Sequence, residues 1–133
     1  TGEELQALGF AAPRFSPAEA GSVLARNLSV HDFLLYEYFL TDKVAHTGDR
    51  AACEEQLRRY DAFLAAVLAG RPDDTLVLLC SDHGNIEDAT VTTHTRNPVP
   101  LVAWGPGARE FVRGMTRLDE VTPAIVALLR GTR

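Results

Sequence analysis

The sequence has 133 residues, 46% of them apolar and 23% charged, which is typical of a globular protein with one hydrophobic core. Its formal net charge of −5 gives no basic surface for nucleic acid or anionic lipid, so neither is an expected partner. Two cysteines, no signal peptide and no apolar run of membrane-spanning length favour a reduced, cytoplasmic protein without a membrane segment.

The first elements alternate between helix and strand. Ser16 to Glu19 form a capping box with proline at the first helical position, which predicts a helix to about Asn27. The nearly continuous apolar and aromatic run from Phe33 to Phe39 predicts a buried strand. A polar loop, "TDKVAHTGD", is expected to follow it.

The second half continues the alternation. Asp49 caps a long helix whose apolar residues recur at helical spacing until Gly70. The apolar runs Thr75–Cys80 and Val99–Trp104 predict two more strands, and a last helix, capped by Thr122, is expected to reach about Leu129.

This order of elements predicts an α/β fold with a mostly parallel sheet and helices on both faces. Open sheets of this kind bind ligands beyond the carboxyl ends of their strands. We therefore expect the functional site on the loops that follow Phe39 and Cys80.

Aspartate and histidine residues occupy those two loops, and none is expected in a helix. Carboxylate oxygen and imidazole nitrogen suit zinc and manganese, and five ligands exceed what one catalytic ion takes from protein, so two divalent ions are predicted. Taken alone, each residue is more often an ordinary loop side chain than a ligand, and it is the joint pattern that favours metal. His31, before the first predicted strand, is interpreted as a surface or capping residue. The candidate metal ligands are Asp42, His46, Asp82, His83 and His94.

Three segments carry a resemblance to a known family. "TDKVAHTGD" is similar to the Asp-x-x-x-His segment of cofactor-independent phosphoglycerate mutases, and "SDHGNIED" with "HTRNPVPLV" resembles their Asp-His-Gly-Asn and His-Thr segments. Phosphopentomutases and other members of the alkaline phosphatase superfamily are similar. The late segment "LDEVTPAIVALL" resembles the helix that closes the catalytic domain, so the resemblance covers roughly Asp32 to Leu129.

The resemblance implies that Asp42, His46 and His94 bind one metal ion, and that Asp82 and His83 belong to the shell of a second. The aspartate and the hydroxyl nucleophile that complete that second shell in the family have no counterpart here. We therefore expect a single domain that is the C-terminal part of a longer phosphomutase or phosphohydrolase, acting on a phosphorylated small molecule together with a missing N-terminal part.

This expectation of a longer protein agrees with a chain that begins at Thr1 rather than at methionine, and residues 1–14 would be the tail of a cap domain or linker. The isolated chain is predicted to be inactive. Two alternatives stay open, a non-catalytic metal-binding or regulatory domain, and a plain α/β domain with structural histidines. Asn85 and Glu87 would either orient metal ligands or cap their loop, and Arg96 would either face a phosphate or lie on the surface.

Overall fold

The computed structural model describes residues 2–131, leaving aside the side chains of residues 3 and 4. It combines helices with a small sheet, so the predicted α/β composition is confirmed. The elements are α1 Gly2–Ala7, α2 Pro17–Leu28, α3 Leu40–Ala45, α4 Arg50–Gly70, β1 Val77–Cys80, β2 Leu101–Trp104, α5 Ala108–Val112, a 3₁₀ turn Leu118–Glu120 and α6 Val121–Gly131.

Helix α2 begins at the predicted capping box and packs closely against α4. The Ser16 hydroxyl accepts a hydrogen bond from the Glu19 amide, and the Glu19 carboxylate accepts one from the Ser16 amide at 2.7 Å. A Cβ atom at Gly21 would lie 2.9 Å from the Ala66 Cβ and would also collide with the Phe63 carbonyl oxygen. Glycine at this position therefore permits the close approach of the two helices.

Helix α4 carries much of the core. Asp49 caps it by accepting a hydrogen bond from the Ala52 amide, as predicted. Phe63 and Val67 on its inner face are 5% and 4% exposed. The aromatic rings of Tyr36 and Tyr38 contact the Phe63 ring at centroid distances of 5.1 and 5.8 Å, so the segment before α3 is held against α4.

Strands β1 and β2 form a two-stranded antiparallel sheet, with Val77 opposite Trp104 and Cys80 opposite Leu101. Both strands lie within the predicted runs, but the predicted mostly parallel sheet is not found among residues 2–131. An antiparallel pair needs only a reversal of the chain between its strands, and the loop from Ser81 to Pro100 provides that reversal.

The prediction of a buried strand over Phe33–Phe39 is wrong for the described chain. Phe33, Leu35 and Phe39 are 52%, 73% and 69% exposed, and no backbone group from residue 31 to residue 37 is hydrogen-bonded to another described backbone group. An apolar run favours burial, but a strand also requires a neighbour to pair with. The described residues supply no such neighbour at this position.

Two local predictions also need correction. The segment predicted as a polar loop contains helix α3, so Asp42 lies in a helix and His46 is the residue that ends it. Thr122 lies inside α6 rather than capping it, because the 3₁₀ turn Leu118–Glu120 leads directly into the helix at Val121. The Glu120 carboxylate accepts hydrogen bonds from the Thr116 and Arg117 backbone amides at the start of that turn. Within residues 2–131, no helix combines the length and apolar character needed to cross a bilayer.

Candidate metal centre

Helix α3 presents Asp42 and His46 side by side. The two residues are four positions apart, a spacing that places side chains on the same face of a helix. His46 Nε2 lies 3.3 Å from Asp42 Oδ1. The other ring nitrogen of His46, Nδ1, lies 2.8 Å from the Thr92 carbonyl oxygen, which fixes the ring orientation and ties the end of α3 to the loop before β2.

His83 and His94 come from opposite ends of the loop that joins β1 to β2. Gly84 and Thr95, the residues that directly follow these two histidines, form an isolated antiparallel bridge in which the Thr95 backbone amide donates to the Gly84 carbonyl oxygen at 2.8 Å. This bridge brings the two imidazole rings into a stack with centroids 3.6 Å apart and planes 18° apart.

The Asp42 carboxylate is the common point of these side chains. Its Oδ1 atom lies 3.3 Å from Nε2 of His94 and 4.0 Å from Nε2 of His83, in addition to the contact with His46. Asp42, His83 and His94 each offer one ligand atom within 4.8 Å of the other two. Carboxylate oxygen and imidazole nitrogen at this spacing fit a divalent cation such as Zn²⁺ or Mn²⁺.

The fifth predicted ligand stands apart from the others. The Asp82 side chain is 85% exposed, and its Oδ2 atom lies 3.4 Å from His83 Nε2. The structure thus gathers Asp42, His46, His83 and His94 around one carboxylate oxygen, with Asp82 at the rim. His83 Nε2 therefore lies 3.4 Å from Asp82, its expected partner at the second ion, and also within 4.0 Å of Asp42, a ligand expected for the first.

Asn85 joins the loop after β1 to helix α3. This residue is only 5% exposed, and its Nδ2 donates a hydrogen bond to Asp42 Oδ1 at 2.6 Å. That hydrogen bond, followed by the nearby imidazoles, holds the pKa of Asp42 below its usual value. The Asn85 Oδ1 atom is buried and has no hydrogen-bond partner among the described residues. A buried amide oxygen, on a side chain whose Nδ2 lies 2.6 Å from Asp42 Oδ1 and 3.4 Å from His46 Nε2, is a feature that a cation would stabilise.

Glu87 connects the two ends of the same loop. Its Oε2 accepts a hydrogen bond from the Asn85 backbone amide at 2.6 Å. Its Oε1 accepts from Asn97 Nδ2 at 3.0 Å and from the Thr95 hydroxyl. These hydrogen bonds, above all the one from Thr95, lower the pKa of Glu87 to about 2.

Arg96, for which the sequence left two roles open, is exposed on the surface.

Sequence reasoning placed these ligands on two loops but missed the helix beneath Asp42. The i,i+4 spacing of Asp42 and His46 was the available signal, since it matches one turn of helix. The isolated bridge between Gly84 and Thr95, which juxtaposes His83 and His94, has no comparable signature in the sequence.

Comparisons with known proteins agree with this geometry. The family model of the Metalloenzyme superfamily matches residues 11–132. The chain is 33% identical over 124 residues to a 2,3-bisphosphoglycerate-independent phosphoglycerate mutase of Desulforudis audaxviator, an alignment that covers 88% of this chain and 24% of that enzyme. The enzymes of the same name from Acetivibrio thermocellus and Yersinia pestis are 32% and 30% identical, over 77% and 88% of this chain and 21% and 24% of theirs.

The chain thus spans about a quarter of the length of these curated relatives. No solved structure matches it significantly. The family match extends over nearly the whole sequence and includes every residue that surrounds Asp42 Oδ1. The chain belongs to the Metalloenzyme superfamily.

Proposed function

We propose that this chain is the metal-binding, C-terminal part of a single catalytic domain that transfers or hydrolyses a phosphoryl group on a small phosphate ester in the cytoplasm. Asp42, His46, Asp82, His83 and His94 are its proposed metal ligands. The relatives are named as phosphoglycerate mutases, and this supports a phosphorylated small-molecule substrate. The complete sheet of such a domain is proposed to be mostly parallel, with helices on both faces.

The convergence on Asp42 Oδ1 is the observation that carries this proposal. Three imidazole nitrogens lie within 4.0 Å of that oxygen, and they come from three separate places in the chain. Ordinary loop histidines find separate partners in solvent or on the backbone. Convergence on one carboxylate instead supports a shared cation.

The chemistry follows from the donor set. Two divalent ions, when bound, would offset the negative charge of a phosphate ester and lower the pKa of an attacking hydroxyl. In this chain Asp42 supplies charge, His46, His83 and His94 supply neutral nitrogen donors, and Asn85 orients the Asp42 carboxylate. Asp82, exposed at the rim beside His83, is the proposed ligand of the second ion, and its 3.4 Å distance to His83 Nε2 supports this.

A nucleophile is proposed to come from outside this chain, in the N-terminal part of the protein. The exposed segment from residue 31 to residue 39 supports this. Tyr36 and Tyr38 both contact aromatic side chains of α4, although Tyr36 is 50% exposed. Phe33 and Leu35, at the alternate positions, are 52% and 73% exposed. This alternation is typical of a strand with one face covered. We propose that strands of the missing part pair with this segment.

A non-catalytic metal-binding or regulatory domain is the second candidate. This sequence has no hydroxyl residue that matches the family's nucleophile motif, and this favours a non-catalytic role for the chain by itself. The two candidates differ in what the longer protein does, because only an enzyme turns over substrate when its remaining part is present.

Activity of the chain joined to its upstream coding sequence tests the proposal. With Mn²⁺ or Zn²⁺ present, we expect turnover of an aryl phosphate or phosphoglycerate by the longer protein, and loss of it in Asp42→Ala. The isolated 133 residues should show little or none. Robust turnover by the isolated chain, or no turnover by the folded, metal-loaded longer protein on any phosphate ester, would contradict the proposal.

A further inference from the structure

Glu87 accepts hydrogen bonds from both sides of the loop that carries His83 and His94. Its donors are the Asn85 backbone amide at 2.6 Å, the Asn97 side-chain amide at 3.0 Å and the Thr95 hydroxyl. Asn85 follows His83 by two positions, and Thr95 follows His94 directly. The carboxylate therefore links the backbone beside one imidazole to the residue next to the other.

The surrounding backbone is built closely around this carboxylate. The bridge between Gly84 and Thr95 passes beside it, and a Cβ atom at Gly84 would lie 2.6 Å from Glu87 Oε1 and closer still to the Thr95 hydroxyl. Only glycine leaves room there for both hydrogen-bonding partners. Glycine and glutamate thus form one local arrangement that sets how closely the two ends of the loop approach.

We infer that Glu87 is a positioning residue for the metal centre, holding His83 and His94 at the separation that a shared divalent cation requires. This inference rests on the proposed metal-binding function. Glu87 touches none of the ligands itself and acts through Asn85, Thr95 and the bridge. Residues that orient metal ligands in this way influence affinity because a cation tolerates little misplacement of its donors.

The Glu87 carboxylate also acts on a third proposed ligand, Asp42, through Asn85. By accepting from the Asn85 backbone amide, Glu87 fixes the residue whose side chain donates to Asp42 Oδ1 at 2.6 Å. Loss of the Glu87 hydrogen bonds would loosen His83, His94 and the Asn85 contact with Asp42 together. The expected result is weaker metal binding with altered coordination geometry.

Absorption titration with Co²⁺ tests the inference on this chain, because the visible bands of Co²⁺ report both occupancy and geometry. Glu87→Gln keeps the size of the side chain but replaces one acceptor oxygen by a donor. We expect Co²⁺ affinity to fall about 10- to 100-fold, with a changed band shape. Glu110→Gln, the same change at an exposed residue of α5, should leave affinity and spectrum unchanged.

Titrations should be run where circular dichroism shows every variant folded, so that affinity does not report a loss of folded protein. A double-mutant cycle with Thr95→Val adds a second readout. If both residues act through one hydrogen-bond network, the double variant loses no more affinity than Glu87→Gln alone. If Glu87→Gln fails to fold, Asn97→Ala, which removes one donor, replaces it and should weaken Co²⁺ binding several-fold.

The outcomes separate this inference from the function on which it rests. A folded wild-type chain that binds no Co²⁺ overturns the metal centre and the inference with it. Co²⁺ binding by the wild type with unchanged affinity and spectrum in Glu87→Gln, or in Asn97→Ala when that variant replaces it, overturns the positioning role alone. If the losses of Co²⁺ affinity in Glu87→Gln and Thr95→Val add fully in the double variant, Glu87 does not act through Thr95.

Discussion

The imidazole rings of His83 and His94 stack 3.6 Å apart, although one follows β1 and the other precedes β2. Their Nε2 atoms lie 4.0 and 3.3 Å from the same Asp42 oxygen. The stack therefore turns two loop histidines into neighbours in one candidate metal centre.

Replacing His94 by alanine should remove most of the stabilisation that metal gives. A cation that binds only the folded chain adds about 2.7 kcal/mol to the free energy of unfolding at a concentration a hundred times its Kd. We expect added Mn²⁺ or Zn²⁺ to raise the melting temperature of the wild type and to raise that of His94→Ala far less. His31→Ala, at an exposed histidine away from the site, is the matched control. Equal increases in all three proteins would argue against His94 as a ligand.

Gly84→Ala should destabilise the fold as well as the site. The added methyl group would collide with Thr95 and approach Glu87 Oε1 to 2.6 Å, so the loop must shift. We expect the free energy of unfolding, measured with urea, to fall by roughly 1–3 kcal/mol. Gly131→Ala is a suitable control, since a Cβ there meets no atom within 4 Å. Wild-type stability in Gly84→Ala would show that the loop is not tightly packed here.

The Glu87 hydrogen bonds should make part of the stability depend on pH. The native pKa of Glu87 is about 2, below its ordinary value of 4.5, because Thr95, Asn97 and the Asn85 amide donate to the ionised carboxylate. Its contribution is fully present above pH 4.5 and is lost as the pH falls through about 2. The difference in urea midpoint between wild type and Glu87→Gln should be constant above pH 4.5 and shrink towards pH 2. A difference that persists unchanged to pH 2 would contradict this assignment.

Loss of the apolar side chain should affect stability little at Leu35 and strongly at Phe63. Leu35 is 73% exposed, so Leu35→Ser should change the free energy of unfolding by no more than about 0.5 kcal/mol. Phe63 is 5% exposed and contacts Tyr36 and Tyr38, so Phe63→Ala should cost about 3–5 kcal/mol. Denaturant unfolding measures both. A large loss in Leu35→Ser would mean that the segment from residue 31 to residue 39 is already covered in the isolated chain.

Local signals in the sequence predicted much of this fold. The Ser16 capping box and the Asp49 cap led to α2 and α4, because a helix start depends on neighbouring residues alone. The two apolar runs led to β1 and β2, which find a partner in each other. The prediction of a strand from Phe33 to Phe39 was wrong because it did not depend on local residues alone. Strand formation there needs a partner that the described residues do not supply.

The candidate site was predictable in its residues but not in its arrangement. Histidine and aspartate after apolar runs indicated five candidate ligands, and the family resemblance divided them between two ions. The grouping of His83 with Asp42 and His94 depends on the bridge between Gly84 and Thr95, which is a long-range contact within the loop. Glu87 was compatible with two roles in the sequence, and its contacts with both ends of the loop favour the orienting one.

Equilibrium dialysis against Mn²⁺ or Zn²⁺, followed by metal analysis, tests the central claim most directly. Wild-type chain and Asp42→Ala should be compared at the same free metal concentration, with circular dichroism showing both folded. We predict that the wild type retains at least one ion per chain and that Asp42→Ala retains almost none, since Asp42 Oδ1 is the atom that all three imidazoles approach. A folded wild-type chain without metal, or equal retention by Asp42→Ala, would contradict the account.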